Sequence, residues 1–313
     1  MIAGGMLVAA PERWDEACFA VPAVRALMAA GMTVGVVCPG DQRGFWESLK
    51  GLVVMDFSPR SKPKVVAAGI SGTWEASLAW DTGVAAEAFK IAGISRRLGI
   101  AERKLNKLLT HPLELRVGPL EHRVRRYLAA VELLGIDTER AEFFVPADLG
   151  IRPIDGSVLL CPGSDFGPSH EWPIERWVEM GLKLLDAGKS VSVAVEDGGR
   201  GLGQMLAARL GDGVEIFPRS LGGEAWSLLA NHAVVIAADG SLPHLAAHAG
   251  ATCVTLFGPN DSAWKRPLGR RHAVVKHHVE CAPCLLAKCP LDRRCQLELE
   301  TERVWRAVRE KLG

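Results

Sequence analysis

The segment from Asp239 to His244 combines an acid, two small residues and a histidine where a strand is expected to give way to a helix. An apolar run, 234–238, precedes the segment, and an alanine-rich stretch follows it. In an open α/β sheet, ligands bind at the carboxyl ends of the strands. A helix that begins there offers backbone N–H groups and the positive end of its dipole, which suits a diphosphate. Two readings stay open: Asp239 as a helix cap with His244 as a buried histidine, or both as part of a ligand site.

A second turn of the same kind joins Cys161 to a helix that begins near Pro173. Gly163 in this turn allows a ligand to approach the backbone closely. Ser164 can donate a hydrogen bond to a phosphate oxygen, and His170 follows in the same polar loop. An ordinary strand–turn–helix joint would have the same appearance, so this turn gains weight only beside the first one.

Size and composition limit the class of protein. The chain has 313 residues, 48% of them hydrophobic, and a net charge of +1. These values predict a folded protein of one large or two medium domains, with no overall attraction to nucleic acid. No apolar stretch reaches the length of a membrane span, and the first residues lack a signal peptide's basic flank and cleavage site. We therefore expect a cytoplasmic location and reduced thiols.

Strand-like and helix-like patterns alternate along the chain, which predicts an α/β fold with mostly parallel sheets. A proline-containing stretch, 146–153, interrupts the alternation, and the same plan then restarts. We expect two similar Rossmann-like domains, 1–150 and 151–313, that face each other across a central cleft. The last helix, predicted at 300–311, could pack back on the first domain.

One stretch of the first half, 95–126, is strongly basic, with nine basic and three acidic residues. One reading is a solvated, mobile loop followed by a charged helix. The other is a docking surface for an anionic acceptor, at a membrane face.

Four of the eight cysteines lie close together near the end of the sequence, at Cys281, Cys284, Cys289 and Cys295. A Cys-x2-Cys pair is a common feature of zinc sites, but the later spacings are irregular. Structural packing or free thiols, a structural zinc ion and redox chemistry all stay open for this group.

Several of these motifs together resemble glycosyltransferase family 9, the bacterial ADP-heptose:lipopolysaccharide heptosyltransferases. The matching elements are Pro22-Ala23-Val24-Arg25-Ala26-Leu27, Pro162-Gly163-Ser164, Trp172-Pro173, Asp239 with His244-Leu245-Ala246-Ala247, and Leu256-Phe257-Gly258-Pro259-Asn260-Asp261. The resemblance implies a GT-B fold, with the glycan acceptor on the first domain and the nucleotide sugar on the second. It also implies an inverting transfer from ADP-heptose to a lipopolysaccharide core or related anionic glycan, with no required metal or other cofactor, by an enzyme in peripheral contact with the inner membrane.

The resemblance also assigns residues. By position, the donor-binding set is Gly163, Ser164, His170, Asp239, Gly240, Ser241 and His244. The family's catalytic base falls on Glu16, where the family has aspartate, and Asp15 is the neighbouring alternative. Both acids could instead simply favour the start of a helix.

Two further departures concern the donor half. The family's lysine before Trp-Pro falls on His170, which at an ordinary pKa is mostly neutral at pH 7. The small pair Gly240-Ser241 is reversed relative to the family's usual order. These changes keep a rival hypothesis open, that of a sugar-nucleotide or glycan-binding protein of the same fold with impaired catalysis.

Overall fold

The computed structural model describes residues 4–195, 201–218 and 225–313. The chain divides into two compact units, Met1–Val145 and Pro146–Gly313. The division lies close to the boundary that the sequence placed at residue 150. Each unit has its own parallel sheet, with helices between successive strands, and is described by itself below.

The first unit alternates strands and helices. Its strands are β1 (Met6–Ala9), β2 (Val34–Pro39), β3 (Val53–Phe57), β4 (Ala76–Ala79), β5 (Arg96–Ile100) and β6 (His111–Leu113). Its helices are α1 (Trp14–Ala29), α2 (Arg43–Glu47), α3 (Pro63–Gly69), α4 (Val84–Ile91) and α5 (Val124–Glu132). The strands pair in the order β3-β2-β1-β4-β5-β6, and every pair is parallel.

Burial explains why these segments form central strands. Every residue of β1, β2 and β4 is buried, as expected for parallel strands covered by helices on both faces. Met6 of β1 pairs with Val34 on one side and with Ala76 on the other. Leu7, Phe57 and Phe89 belong to one core cluster of this unit.

The second unit repeats the plan. Its strands are β7 (Ile154–Cys161), β8 (Ser190–Val195), β9 (Val214–Pro218), β10 (His232–Ala238), β11 (Thr252–Phe257) and β12 (Ala273–Lys276). Its helices are α6 (Ile174–Asp186), α7 (Leu202–Leu210), α8 (Ala225–Asn231), α9 (Leu242–Ala249), α10 (Ser262–Lys265), α11 (Arg294–Leu297) and α12 (Thr301–Leu312). The strands pair in the order β12-β11-β10-β7-β8-β9, again all parallel.

The final helix belongs to the core of the second unit. Val304 and Val308 of α12 are fully buried in the same cluster as Trp172 and Ile236. The helix contacts α6 and the strands β10, β11 and β12. Its apolar face therefore covers the sheet of its own unit. The expectation that this helix could pack back on the first domain stays a prediction.

The strand orders place one reversal point in each sheet. In the first unit the order reverses between β1 and β4, and in the second between β7 and β10. Ligands of doubly wound sheets bind at the carboxyl ends of the strands at such points. The loops after β1, β4, β7 and β10 are therefore the places to examine for a site.

Parts of the basic stretch 95–126 form regular secondary structure, which one of its two interpretations, a mobile loop, did not predict. The mobile-loop reading is wrong for 96–100 and 111–113, because these residues form β5 and β6 at the edge of the first sheet. The guanidinium of Arg97 donates to the carbonyl oxygens of Leu108 (2.7 Å) and Ile94 (2.5 Å), which ties the segment together. Among the described residues, no helix is both long enough and apolar enough to cross a bilayer.

Candidate functional site

The loops after β7 and β10 meet at Gly240. A Cβ atom at this position would lie 2.7 Å from Asp165 Oδ1 and 3.3 Å from Ser164 Oγ, so only glycine fits without displacing them. Gly163 is buried in the turn that follows β7. The structure thus brings the two sequence-predicted turns together at the reversal point of the second sheet.

Asp239 lies at the centre of this junction and is completely buried. Its Oδ2 lies 3.0 Å from His170 Nδ1 and accepts a hydrogen bond from Asn260 Nδ2 (2.7 Å). Its Oδ1 is buried without a hydrogen-bond partner among the described residues. Burial raises the pKa of the Asp239 carboxyl, and the contacts with His170 and Asn260 oppose that rise. A buried oxygen without a partner costs free energy, which makes Oδ1 the atom most in need of a ligand or a water molecule.

Asp165 is a residue of this site that the sequence analysis missed. Its carboxylate accepts hydrogen bonds from the backbone N–H (2.8 Å) and the hydroxyl (2.6 Å) of Ser241, directly before α9. An acid two residues beyond Gly163, in a loop after a parallel strand, was the available signal. Its partner could not be read from the sequence because it lies 76 residues away. The carboxylate caps the start of α9 in the manner of a side-chain N-cap.

Two serines of the predicted donor-binding set use their hydroxyls within the protein. The Ser164 hydroxyl donates to the backbone carbonyl of Asp239 (2.5 Å) and accepts from the N–H of Phe166 (3.1 Å). The Ser241 hydroxyl donates to Asp165. In this arrangement both serines hold the two loops together.

His244 and Lys265 complete the site. His244 lies in the first turn of α9 and is 2% exposed. Lys265 ends α10 and is 7% exposed, which is unusual for a lysine. Its Nζ lies 5.0 Å from the ring centroid of Phe166 and 5.3 Å from that of Trp264. The charge of Lys265 acts to lower the pKa of Asp239, although burial outweighs it.

The cysteine-rich segment braces the loop that carries His170. The N–H of Ser169 donates to the carbonyl of Ala287 (3.2 Å), and Arg293 Nη1 donates to the carbonyl of Pro168 (3.0 Å). Gln296 Nε2 donates to the carbonyl of His170 itself (3.2 Å). The segment therefore holds the loop through hydrogen bonds to the loop's backbone groups.

The cysteines are free thiols, exposed at Cys281, intermediate at Cys284 and Cys289 and buried at Cys295. Burial, with the neighbouring thiols as smaller contributors, raises the pKa of Cys295 to about 11. Within 4–195, 201–218 and 225–313, no three or more His, Cys, Asp or Glu side chains are arranged to hold a metal ion. The structural-zinc hypothesis, which needs four converging thiolates, thus finds no support in this geometry.

In the first unit, Glu16 lies in the first turn of α1 and is 7% exposed. Its Oε1 accepts a hydrogen bond from Arg123 Nε (2.7 Å), and its Oε2 accepts one from the Tyr127 hydroxyl (2.6 Å). Burial, followed by the charge of Glu16, raises the pKa of Tyr127 well above its usual value, so the phenol keeps its proton and donates. Two side chains at α5 thereby fix both oxygens of this carboxylate.

The neighbouring acids differ in their surroundings. Asp15 is fully buried and accepts hydrogen bonds from Arg13 Nε (3.1 Å) and Nη2 (3.2 Å). Asp81, which the sequence analysis missed, follows β4 at the reversal point and has an accessible side chain. Desolvation by the surrounding protein raises the pKa of Asp81 to about 6. The charge of Arg126 opposes this rise, and the negative charges of Glu12 and Glu16 add to it. An acid just beyond a buried strand was the signal that could have found it.

The basic stretch is partly neutralised by ion pairs. Arg96 pairs with Glu75, Arg123 with Glu16, Arg125 with Glu121 and Glu132, and Arg126 with Glu102. Four other bases are exposed and have no acidic partner among the described residues: Arg103, Lys104, Lys107 and Arg116. These four form the basic face of the first unit, the part of the stretch that stays available to an anion.

The family model for glycosyltransferase family 9 (heptosyltransferase) matches residues 88–294. A curated relative, lipooligosaccharide heptosyltransferase 2 of Haemophilus influenzae, is 29% identical over 133 residues. The aligned part is 41% of this chain and spans only 38% of that relative's length.

Solved structures share the fold over nearly the whole chain. E. coli ADP-heptose LPS heptosyltransferase II aligns with a TM-score of 0.78 and 19% identity, covering 98% of each chain. The family 9 glycosyltransferase of Veillonella parvula aligns with a TM-score of 0.82 and 16% identity, covering 98% of this chain and 97% of that one. The expected GT-B fold, with two Rossmann-like parallel sheets, is confirmed.

Proposed function

We infer the function of this chain from its family: it belongs to glycosyltransferase family 9 (heptosyltransferase). It transfers a heptose, or a related sugar, from an ADP-sugar to a lipopolysaccharide core or related glycan, with inversion and without a metal. The observation that carries this proposal is the buried Asp239 at the reversal point of the second sheet. Its Oδ1 has no hydrogen-bond partner in the part of the chain that the structure describes, and its Oδ2 is held by His170 and Asn260.

The donor binds to the second unit, at the carboxyl ends of β7 and β10. Asp239 Oδ1 accepts a hydrogen bond from a hydroxyl of the donor, which satisfies this buried oxygen. Gly163 and Gly240 keep the backbone accessible, while Ser164 and Ser241 hold the loops in register. His170 and His244 lie next to the departing diphosphate, where an imidazole N–H stabilises developing negative charge. The name of the E. coli heptosyltransferase with this fold supports ADP-heptose as the donor.

The acceptor binds to the first unit. Glu16 accepts the proton of the acceptor hydroxyl while that oxygen attacks the anomeric carbon, and the bond between the sugar and the diphosphate breaks. Arg123 and Tyr127 hold the carboxylate in place. Attack by an external hydroxyl in one displacement inverts the configuration at the anomeric carbon.

An anionic acceptor suits the basic face formed by Arg103, Lys104, Lys107 and Arg116, all of them exposed. Basic residues near an anionic leaflet gain about 1 kcal/mol each. This charge supports peripheral binding of the enzyme to the cytoplasmic face of the inner membrane, where it would meet a phosphorylated glycolipid acceptor.

The test is a transfer reaction with purified protein, ADP-heptose and a deep-truncated core lipopolysaccharide as acceptor. We expect a heptosylated product together with an equal amount of ADP. Folded protein that yields neither product nor ADP would contradict the enzyme proposal. Donor binding in a calorimeter without turnover would instead favour the rival hypothesis of an impaired sugar-nucleotide-binding protein.

The proposed base is tested by Glu16→Gln beside Asp15→Asn. Loss of a general base costs about 100- to 10,000-fold in rate, so we expect kcat to fall by at least 100-fold in Glu16→Gln with the affinity for ADP unchanged. Thermal unfolding checks that Arg123, which loses its anionic partner, has not destabilised the unit. If Glu16→Gln keeps its turnover while Asp15→Asn loses it, the base is Asp15.

A further inference from the structure

We propose that Lys265 supplies the fixed positive charge that holds the diphosphate of the donor. This inference rests on the proposed function, because it concerns the same donor site. It identifies a phosphate-binding residue outside the set that the sequence pointed to. It also explains how the site works with a histidine at position 170, where the family has lysine.

Part of the hydrogen-bonding capacity at the start of α9 is already used within the protein. The N–H of Ser241 is bonded to the Asp165 carboxylate, and the N–H of His244 is bonded to the carbonyl of Ser241 (3.2 Å). Pro243 has no N–H to offer. The carboxylate of Asp165 also brings a negative charge to the end of the helix that would attract an anion. A full positive charge on a nearby side chain would therefore add to what the remaining amides of this helix start can offer a diphosphate.

His170 is a weak source of that charge. Its Nδ1 faces the buried carboxylate of Asp239, so any positive charge on the imidazole is already balanced there. The side chain is also almost completely enclosed, at 2% exposure. The site needs a second cation for the two phosphate groups.

Lys265 fits this role by its position. Its Nζ lies over the ring of Phe166, and the same ring meets the imidazole of His170 edge-on, with the centroids 5.6 Å apart. Phe166 belongs to the loop after β7, next to Asp165. Lys265 therefore borders the loop that holds His170, and its charge acts on Asp239.

The environment keeps this lysine in place. The ring faces of Phe166 and Trp264 attract an ammonium group and restrict its movement. The backbone N–H of Lys265 donates to the carbonyl of Asp261 (2.9 Å), one residue after Asn260, which itself binds Asp239. An incoming diphosphate would accept a charge-assisted hydrogen bond from the ammonium group.

The test compares ADP, AMP and adenosine binding to the full chain by calorimetry. The variants are Lys265→Met, Lys265→Arg and, as a matched control, Lys276→Met, which removes an exposed lysine of the same unit. Loss of a charge-assisted contact predicts about 10- to 100-fold weaker ADP binding in Lys265→Met. The loss should be smaller for AMP and absent for adenosine. Lys265→Arg should retain most of the ADP affinity, and Lys276→Met should match the unaltered protein.

The outcomes separate this inference from the proposed function. Unchanged ADP affinity in Lys265→Met overturns the inference and leaves the proposed function standing. Equal losses for ADP and adenosine also overturn it, because they indicate a structural role for the lysine; thermal unfolding identifies a variant that has not folded. If the unaltered, folded protein binds no ADP, the proposed donor is wrong and the inference fails with it.

Discussion

The carboxylates of the first unit differ in how tightly they are held. Both oxygens of Glu16 accept a hydrogen bond, one from Arg123 directly before α5 and one from Tyr127 within it, and Asp15 is paired with Arg13. Asp81 has no hydrogen-bond partner among the described residues, although it lies at the same reversal point. The charged form of Asp81 costs free energy in the folded protein, because its pKa is raised, and such costs are typical of functional sites.

The cost of Asp81 can be measured through its dependence on pH. Because its pKa is raised from 3.8 to about 6, the folded protein binds the Asp81 proton more tightly than the unfolded chain does. Stability therefore falls as the pH rises from about 4 to 6, and the penalty is constant above that range. Asp81→Asn should raise Tm by a few degrees at pH 7 and leave it unchanged at pH 4. Solvent screening of this accessible side chain limits the gain to about 1 kcal/mol or less.

The control for this prediction is Asp41→Asn, which removes an exposed aspartate from the same unit. Thermal unfolding of both variants at several pH values gives the comparison. A Tm for Asp81→Asn at pH 7 that equals or falls below that of the unaltered protein would show that Asp81 carries no such penalty.

Residue types at strand ends could be predicted from the sequence, but their partners could not. Asp239 and His170 were found because they lie in polar turns after predicted strands, and Glu16 was found only through the resemblance to the family. The contacts that define their chemistry join distant parts of the chain: Tyr127 lies 111 residues from Glu16, and Asp165 lies 76 residues from Ser241. No local pattern carries that information.

At the scale of elements, the start of α9 depends on the absence of a side chain at Gly240. The loop after β7 passes so close that a Cβ there would displace Asp165 from Ser241. The contact joins the two loops that carry the proposed donor site. The position of each loop therefore depends on its contacts with the other loop.

Gly240→Ala should destabilise the protein by about 1–3 kcal/mol, the usual cost of overpacking. In an Asp165→Ala background the cost should be smaller, because the atom that the new methyl group would meet is gone. Denaturant unfolding of the four proteins of this double-mutant cycle measures the coupling. Gly44→Ala is the control, since nothing lies within 4 Å of a Cβ at that position. Additive effects of the two substitutions would argue against the steric explanation.

The hydrophobic runs in the sequence correctly predicted the strands that are buried in the centre of each sheet. The sequence did not predict β5 and β6, which lack such runs, or β12, whose apolar run of Ala273, Val274 and Val275 is short. β5 begins with Arg96 and Arg97, and β6 has three residues and contains Pro112. β6 and β12 are edge strands, so their side chains do not need to be apolar on both faces. Alternating apolar runs therefore report the centre of a parallel sheet better than its edges.

At the scale of the whole molecule, the net charge of +1 conceals an uneven distribution. The basic stretch 95–126 contributes ion pairs that hold the first unit together and also the four exposed bases of its basic face. The sequence could locate this excess of charge, but only the structure divides it between the two uses. The composition of this stretch predicts that it attracts anions. The free energy of binding an anion depends on which of its bases remain exposed.

The double variant Lys104→Gln/Lys107→Gln tests what the basic face does. If each lysine contributes about 1 kcal/mol near an anionic surface, binding to vesicles that contain acceptor lipopolysaccharide should weaken by roughly 10- to 30-fold at low salt. The difference should shrink as the ionic strength rises, because salt screens exposed charges. The affinity for ADP should not change, since the donor is proposed to bind to the other unit. Lys62→Gln/Lys64→Gln removes the same charge from exposed lysines elsewhere in the first unit. Equal weakening in both double variants would mean that net charge, and not this face, attracts the acceptor.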